Sequence, residues 1–206
     1  MGHDPRQYRM PAGPEGKLLL EDMNVHHRGL TEWALDKLPA YDPADILDIG
    51  CGGGMLISLL ASRFTKAVIR GIDISEESVK MTNELNADIV AEGRCLASVG
   101  SVSDIPFDDG AFGLVTAFET YFFWPDLLND IKKAAAKVRE GGYIVIVSET
   151  YPHPAFRERN DQIVKDYGLN IIENEEMVSM LEECGVDTTV HEDEEKNWVA
   201  FVGRKR

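Results

Sequence analysis

Little in this 206-residue chain could be stapled by cysteine, since Cys51, Cys95 and Cys184 are dispersed, match no metal-ligand spacing and leave an odd count. Reduced thiols filling a core, in the cytoplasm, are the expectation. No apolar run approaches the ~20 residues of a membrane span. The opening residues Met1-Gly2-His3-Asp4-Pro5-Arg6 lack the apolar core of a signal peptide. Basic residues are scarce as well: 21 Lys and Arg against 36 Asp and Glu give a formal charge of −15. Such a surface repels phosphates and excludes nucleic acid as the natural partner, which favours a small molecule. Internal repeats are also missing, and a chain this long buries about two-thirds of its unfolded surface as one domain without staples. A single domain over 1–206 is expected.

What the chain does have is Ile46-Leu47-Asp48-Ile49-Gly50-Cys51-Gly52-Gly53-Gly54, an apolar run that stops in a glycine cluster. Leu56, Leu59, Leu60 and Phe64 follow on one helical face, so the glycines form a tight strand-to-helix turn. A turn of this kind presents free backbone N–H groups at a helix N-terminus and lets a ligand approach where no side chain intervenes. A dinucleotide fingerprint needs Gly-x-Gly-x-x-Gly, and here the sixth position is Met55. That side chain would obstruct a pyrophosphate, so an NAD-dependent oxidoreductase is the weaker reading.

Asp48-Ile49-Gly50-Cys51-Gly52-Gly53-Gly54, with its acid two residues before the first glycine, resembles the first motif of the class I, seven-stranded S-adenosylmethionine-dependent methyltransferases. Within them the chain is similar to the type 11 branch of small-molecule and quinone-biosynthesis enzymes. The resemblance implies a doubly wound, mostly parallel α/β sheet of order 3-2-1-4-5-7-6, the last strand antiparallel, with helices on both faces. It implies adenosylmethionine held by Asp48, Gly50, the backbone of Cys51, Gly52 and Phe118, and adenosylhomocysteine as product.

Asp73 closes the next strand, Ala67 to Ile72, about 20 residues past the glycines, where an acid can accept both hydroxyls of a ribose; Ile74 adjoins it and Ser75 caps the following helix. That helix is expected to run from Ser75 to about Glu92, before a third strand, Arg94 to Val99. Gly100-Ser101-Val102-Ser103-Asp104-Ile105-Pro106-Phe107 resembles the family's adenine segment, although Ser101 stands where an acid is usual. Ser101, Asp104 and the Val102 backbone remain alternative contacts. Phe112 to Phe118 is the fourth strand, and Glu119-Thr120-Tyr121-Phe122-Phe123-Trp124 extends from the end where ligands sit in open α/β sheets. Alternation would send some of the four aromatics outward, so Tyr121 and Trp124 are candidates for the acceptor pocket.

Before the sheet, residues 1 to about 14 read as a loose arm. Helices through Leu18–Asn24 and Leu30–Leu38 then make residues 1–44 an arm and cap over the 45–150 core. Asn24 is a further acceptor candidate. His26 and His27, about 100° apart on a helix, should not face one site together, and His26 is favoured. After Pro125, Leu127, Ile131, Ala134 and Val138 predict a helix ended by Gly141, then a strand Tyr143 to Val147. Residues 151–206 add two helices and a terminal strand pair.

Displacement from a sulfonium needs alignment more than a strong base. Should the acceptor be a hydroxyl or ammonium, Glu119, His26 and Tyr151 are the candidate bases. The two acids and Asn of magnesium-dependent catechol-type enzymes have no counterpart, and no metal is expected. A noncatalytic adenosylmethionine-binding protein is the rival class, because fold and cofactor motif do not prove chemistry.

Overall fold

Ile46 and Leu47 point to opposite faces of a sheet, and both are fully buried, so apolar layers must cover both sides. The structure, a computed structural model, describes residues 4–206; the opening Met1-Gly2-His3 of the expected arm lies outside them. Seven strands, β1 (Asp45–Ile49), β2 (Val68–Asp73), β3 (Cys95–Val99), β4 (Phe112–Phe118), β5 (Val138–Ser148), β6 (Val186–Asp193) and β7 (Trp198–Lys205), form one sheet. Their order is β3-β2-β1-β4-β5-β7-β6. β1 runs parallel to β2 and β4, and β7 antiparallel to β5 and β6, as the resemblance implies.

Alternate residues of each strand feed two cores. Leu47, Ile49, Val115 and Ile144 meet α7 (Leu127–Ala136) and α9 (Asn174–Glu183) through Ile131, Ala135, Met177 and Leu181. On the other face Ile46, Ile69, Leu114 and Val145 meet α3 (Arg28–Leu35) and α4 (Met55–Arg63) through Leu30, Ala34, Ile57 and Leu60.

Several local expectations are corrected. The arm is not wholly loose: it holds a one-turn helix, α1 (Arg6–Arg9), and α2 (Gly13–His26) already begins at Gly13. Pro11 is buried, and its carbonyl accepts from Ser75 Oγ at 2.5 Å, tying the arm to the cap of the helix that follows β2. The helix expected over 75–92 divides into α5 (Glu76–Leu85) and α6 (Ala87–Ala91). At the break, buried Asn86 donates to the carbonyls of Gly54 and Thr82 and accepts from Ser58 Oγ, so its amide serves the glycine turn. Val138 begins β5 instead of ending α7, and Gly141, at φ +73°, lies in an irregularity where pairing jumps from Phe112–Val138 to Leu114–Tyr143.

The aromatic run does not alternate, because Tyr121–Phe123 coils into a single 3-10 turn. Tyr121, Phe122 and Trp124 all turn inward, and Phe123 stays half-buried. α8 (Arg157–Tyr167) completes the chain's helices among the described residues, and Tyr167 packs on Tyr8 of α1 with ring centroids 4.5 Å apart. No helix among those residues is long and apolar enough to cross a membrane.

Candidate functional site

The turn after β1 is held almost entirely through its backbone. Gly50 N and Cys51 N donate to Ile72 O at 2.8 and 3.1 Å, and Gly53 O accepts from Asn24 Nδ2 at 3.0 Å. Gly54, at φ +83°, begins α4 so close to α5 that a Cβ there would stand 2.8 Å from Thr82 Cα. Only glycine fits that position. Around Gly52, by contrast, an added Cβ would find nothing closer than 3.9 Å, so the turn leaves an open cradle there.

Two carboxyls face this cradle. Asp73 Oδ2 accepts from Gly52 N at 3.0 Å and Oδ1 from Ser75 N at 2.8 Å. Burial raises its pKa against those bonds, and each oxygen keeps a lone pair for a further donor. Asp48 Oδ1 accepts from Thr116 Oγ1 at 2.7 Å, while its Oδ2 is buried with no hydrogen-bond partner among the described residues. Burial, opposed by Thr116 and aided by Asp73, pushes this carboxyl up to about 7. An unpaired buried acceptor of this kind calls for a donor, and a cation suits it best.

Asp48, Gly50, Cys51, Gly52, Asp73 and Phe118 line one cavity. It continues past Thr120 and Phe123 into a second, walled by Ile74, Ser101, Val102 and Trp124. The nine positions expected around the donor therefore form one continuous wall. Ser101 Oγ already accepts from Ser103 N at 3.1 Å, and Asp104 is exposed, outside that wall.

Beside the glycine cavity lies a third, of about 420 Å³, with Leu19, Phe122, Ile163 and Leu169 on its apolar side. It shares Tyr8, Met23, His27, Glu119 and Phe123 with the glycine cavity. Glu119, just past β4, takes φ +55°, a conformation that costs a non-glycine residue about 1–3 kcal/mol. Its Oε1 accepts from Glu149 N at 2.6 Å. Burial raises the Glu119 carboxyl to about 7, opposed by His27 and reinforced by Glu149. The Glu149 carboxylate reaches His26 Nε2 at 3.0 Å and lies 3.6 Å from His27 Nε2, which is 3.9 Å from Glu119 Oε2. Burial lowers the His27 pKa, yet the neighbouring carboxylates of Glu149 and Glu119 outweigh this and raise it. Glu149, though raised by burial, ends below its ordinary value through the two histidines.

The two histidines do face one site, contrary to the expectation from helical spacing. His27 is the junction between α2 and α3, the C-cap of one and the N-cap of the other, so the 100° step of a continuous helix does not apply. Both rings turn to Glu149, and His27, not the exposed His26, reaches the glycine cavity.

Four other candidates move. Tyr151 is buried in the core with its hydroxyl unpartnered among the described residues, away from both cavities at the glycine turn. Tyr121 is 1% exposed and sealed in the same core, so it is not free to meet an acceptor. Trp124 and Asn24 face the donor-side cavities instead of the third. Sequence reasoning ranked His27 behind His26 and missed Phe123 and Glu149. Glu149 was within reach, because it follows the apolar run Tyr143–Val147 just as Glu119 follows β4, at the strand end where ligands sit.

A family model described as a methyltransferase domain matches residues 47–146. The chain is 27% identical over 168 residues to the 27-O-demethylrifamycin SV methyltransferase of Amycolatopsis mediterranei, covering 80% of this chain and 61% of that protein. It is 32% identical over 101 residues to the ubiquinone biosynthesis O-methyltransferase of Chromobacterium violaceum, covering 48% and 41%. The chain thus spans about two-fifths to three-fifths of the length of these relatives. Geranyl diphosphate C-methyltransferase from Streptomyces coelicolor A3(2), solved with Mg2+, geranyl diphosphate and S-adenosyl-L-homocysteine, shares the fold with a TM-score of 0.76 at 17% identity, over all of this chain and 89% of that one.

Proposed function

We propose that this chain is a class I, Rossmann-like S-adenosylmethionine-dependent methyltransferase of the small-molecule branch, and that it methylates a small-molecule acceptor bound in the third cavity. One observation carries this reading: the glycine cavity and the apolar cavity open into each other at Met23, His27, Glu119 and Phe123. A methyl group held on one side of that junction would face an acceptor on the other.

The residues of the glycine side fit the donor. Unpaired Asp48 Oδ2 would take its ammonium, the cradle at Gly52 its amino-acid end, and the free lone pairs of Asp73 the ribose hydroxyls. Val102 and Trp124 would flank the adenine, with Ser101 the polar group at its rim. When bound, the cofactor supplies a methyl group already activated on a sulfonium, whose loss leaves a neutral thioether. The protein's part is alignment and the exclusion of water, and alignment alone lowers a barrier by ~7–11 kcal/mol. The arm supports that exclusion, since Tyr8 and Pro11 line the glycine cavity from above.

An acceptor hydroxyl or ammonium must also lose a proton. Of the three bases considered from sequence, only Glu119 lies at the junction: His26 is at the outer rim and Tyr151 in the core. Glu119 is therefore the assigned proton acceptor. The three unpaired cysteines support a reducing, cytoplasmic setting.

Calorimetry with adenosylhomocysteine and NAD, followed by transfer of labelled methyl from adenosylmethionine into a metabolite extract, tests the proposal. Saturable adenosylhomocysteine binding and label in a small organic product are expected. Binding without label in any product would favour a noncatalytic binder, and preference for NAD would overturn the donor assignment.

A further inference from the structure

The cluster at the outer end of the junction does more than the transfer needs. Glu149 stands between two imidazoles, with Oε2 3.0 Å from His26 Nε2 and Oε1 3.6 Å from His27 Nε2. One donor atom from each of the three side chains lies within 4.8 Å of the others. Ligands about 2.1 Å from a common ion stand about 3.0–3.4 Å apart in tetrahedral or octahedral arrangements. Both Glu149 distances are close to that range, and His26, 66% exposed, is free to swing the remaining distance. The His27 contact, at 3.6 Å, is longer than a hydrogen bond and is an ion-pair distance, so the carboxylate is already turned toward a positive partner there.

The surroundings also favour a cation. A second carboxyl, Glu119, is largely buried with its Oε2 3.9 Å from His27 Nε2. The nearby guanidinium of Arg159 donates to the Glu149 carbonyl and approaches Thr150 Oγ1, leaving the carboxylate to the histidines. Two imidazoles and a carboxylate select a transition ion of the zinc class over magnesium, which prefers an all-oxygen shell.

We propose that His26, His27 and Glu149 bind a divalent transition-metal ion of the zinc class on the wall of the acceptor cavity. The ion keeps positions open toward that cavity, where an oxygen of the acceptor can join its shell. The acceptor class that follows is an oxygen-bearing molecule able to chelate or ligate a metal, oriented with that oxygen toward the junction. This rests on the methyltransferase reading for the role of the cavity, but the ion site itself does not. Sequence patterns carry no signal for it, since its carboxylate comes from a residue 123 positions away from His26.

The test uses tag-free protein dialysed against a chelator and titrated with Zn2+ by calorimetry and with Co2+ by visible absorption. One equivalent should bind, with cobalt bands of an imidazole–carboxylate site. His26→Ala and Glu149→Gln should each weaken binding at least tenfold, with adenosylhomocysteine affinity and thermal midpoint unchanged in His26→Ala. Equal Zn2+ affinity in native and His26→Ala proteins, or the absence of a saturable equivalent, overturns the site. Adenosylhomocysteine binding to the chelator-treated native protein reports on the methyltransferase reading separately, so failure of one is distinguishable from failure of the other.

Discussion

Replacing Asp48 by Asn should stabilise the free protein at pH 8 while weakening donor binding, and the pH dependence of the first effect can be worked out. The folded carboxyl is raised from 3.8 to about 7. Below 3.8 it is protonated whether the chain is folded or not, and it then affects stability little. As pH rises from 3.8 to 7 the unfolded chain ionises and the folded one resists, so stability falls; above 7 the loss is constant. At about 1.36 kcal/mol per pH unit the full loss is about 4 kcal/mol, of which about 3 kcal/mol develops between pH 5 and pH 8. An Asn escapes this loss at both pH values and still accepts from Thr116 Oγ1, while its amide nitrogen is left unpaired at a cost of about 1–3 kcal/mol that does not vary with pH. Urea denaturation at the two pH values removes that constant. The advantage of Asp48→Asn over the native protein should be about 3 kcal/mol larger at pH 8 than at pH 5. An equal difference at both values would refute the claim that a buried, unpaired carboxylate is being forced to ionise. If the donor's ammonium pairs with Asp48, the native protein should also release a proton on binding adenosylhomocysteine near pH 6, and Asp48→Asn should not. Calorimetry in buffers of different ionisation enthalpy reads this directly.

Gly52→Ala should fold, because its Cβ has room, at a cost of about 1–2 kcal/mol for φ +52°; adenosylhomocysteine affinity should drop at least tenfold, and unchanged affinity would remove this cradle from the donor site. Glu119→Gln keeps an acceptor for Glu149 N, so donor affinity should stay within a few-fold of native while single-turnover label transfer to a hydroxyl acceptor slows by ~10²–10⁴; an unaltered rate would show that the proton leaves elsewhere. Trp124→Leu retains apolar bulk in the core and should weaken adenosylhomocysteine binding by roughly 1 kcal/mol, as expected for lost stacking on a base, with no change in acceptor KM. A defect confined to the acceptor would return Trp124 to the other side of the junction.

Much of the donor side was legible from residue order, for a physical reason. A buried parallel strand must be a short apolar run, a close backbone turn must be glycine, and the acid at the next strand's end must stand beside that turn because β2 pairs with β1 in register, Asp48 opposite Gly71 and Ile49 opposite Ile72. These are constraints between neighbours in sequence or between adjacent strands, so spacing alone carries them. The sheet order came with the same motif.

Only tertiary structure decided the acceptor side. Whether Tyr121 faced a ligand or the core depended on a 3-10 turn instead of strand alternation, and hydrophobic pattern cannot distinguish the two for four consecutive aromatics. The pairing of His26 and His27 on one carboxylate required a break between α2 and α3 that no Pro or helix-capping Gly announces. The orphaned oxygen of Asp48 and the raised carboxyl of Glu119 are consequences of burial, a property of the packed whole. Composition and periodicity therefore determined where the backbone turns around a donor, whereas the site for the acceptor emerged from five separate stretches, 8, 19–27, 119–123, 149–150 and 163–169, that meet only when the sheet is closed by its helices.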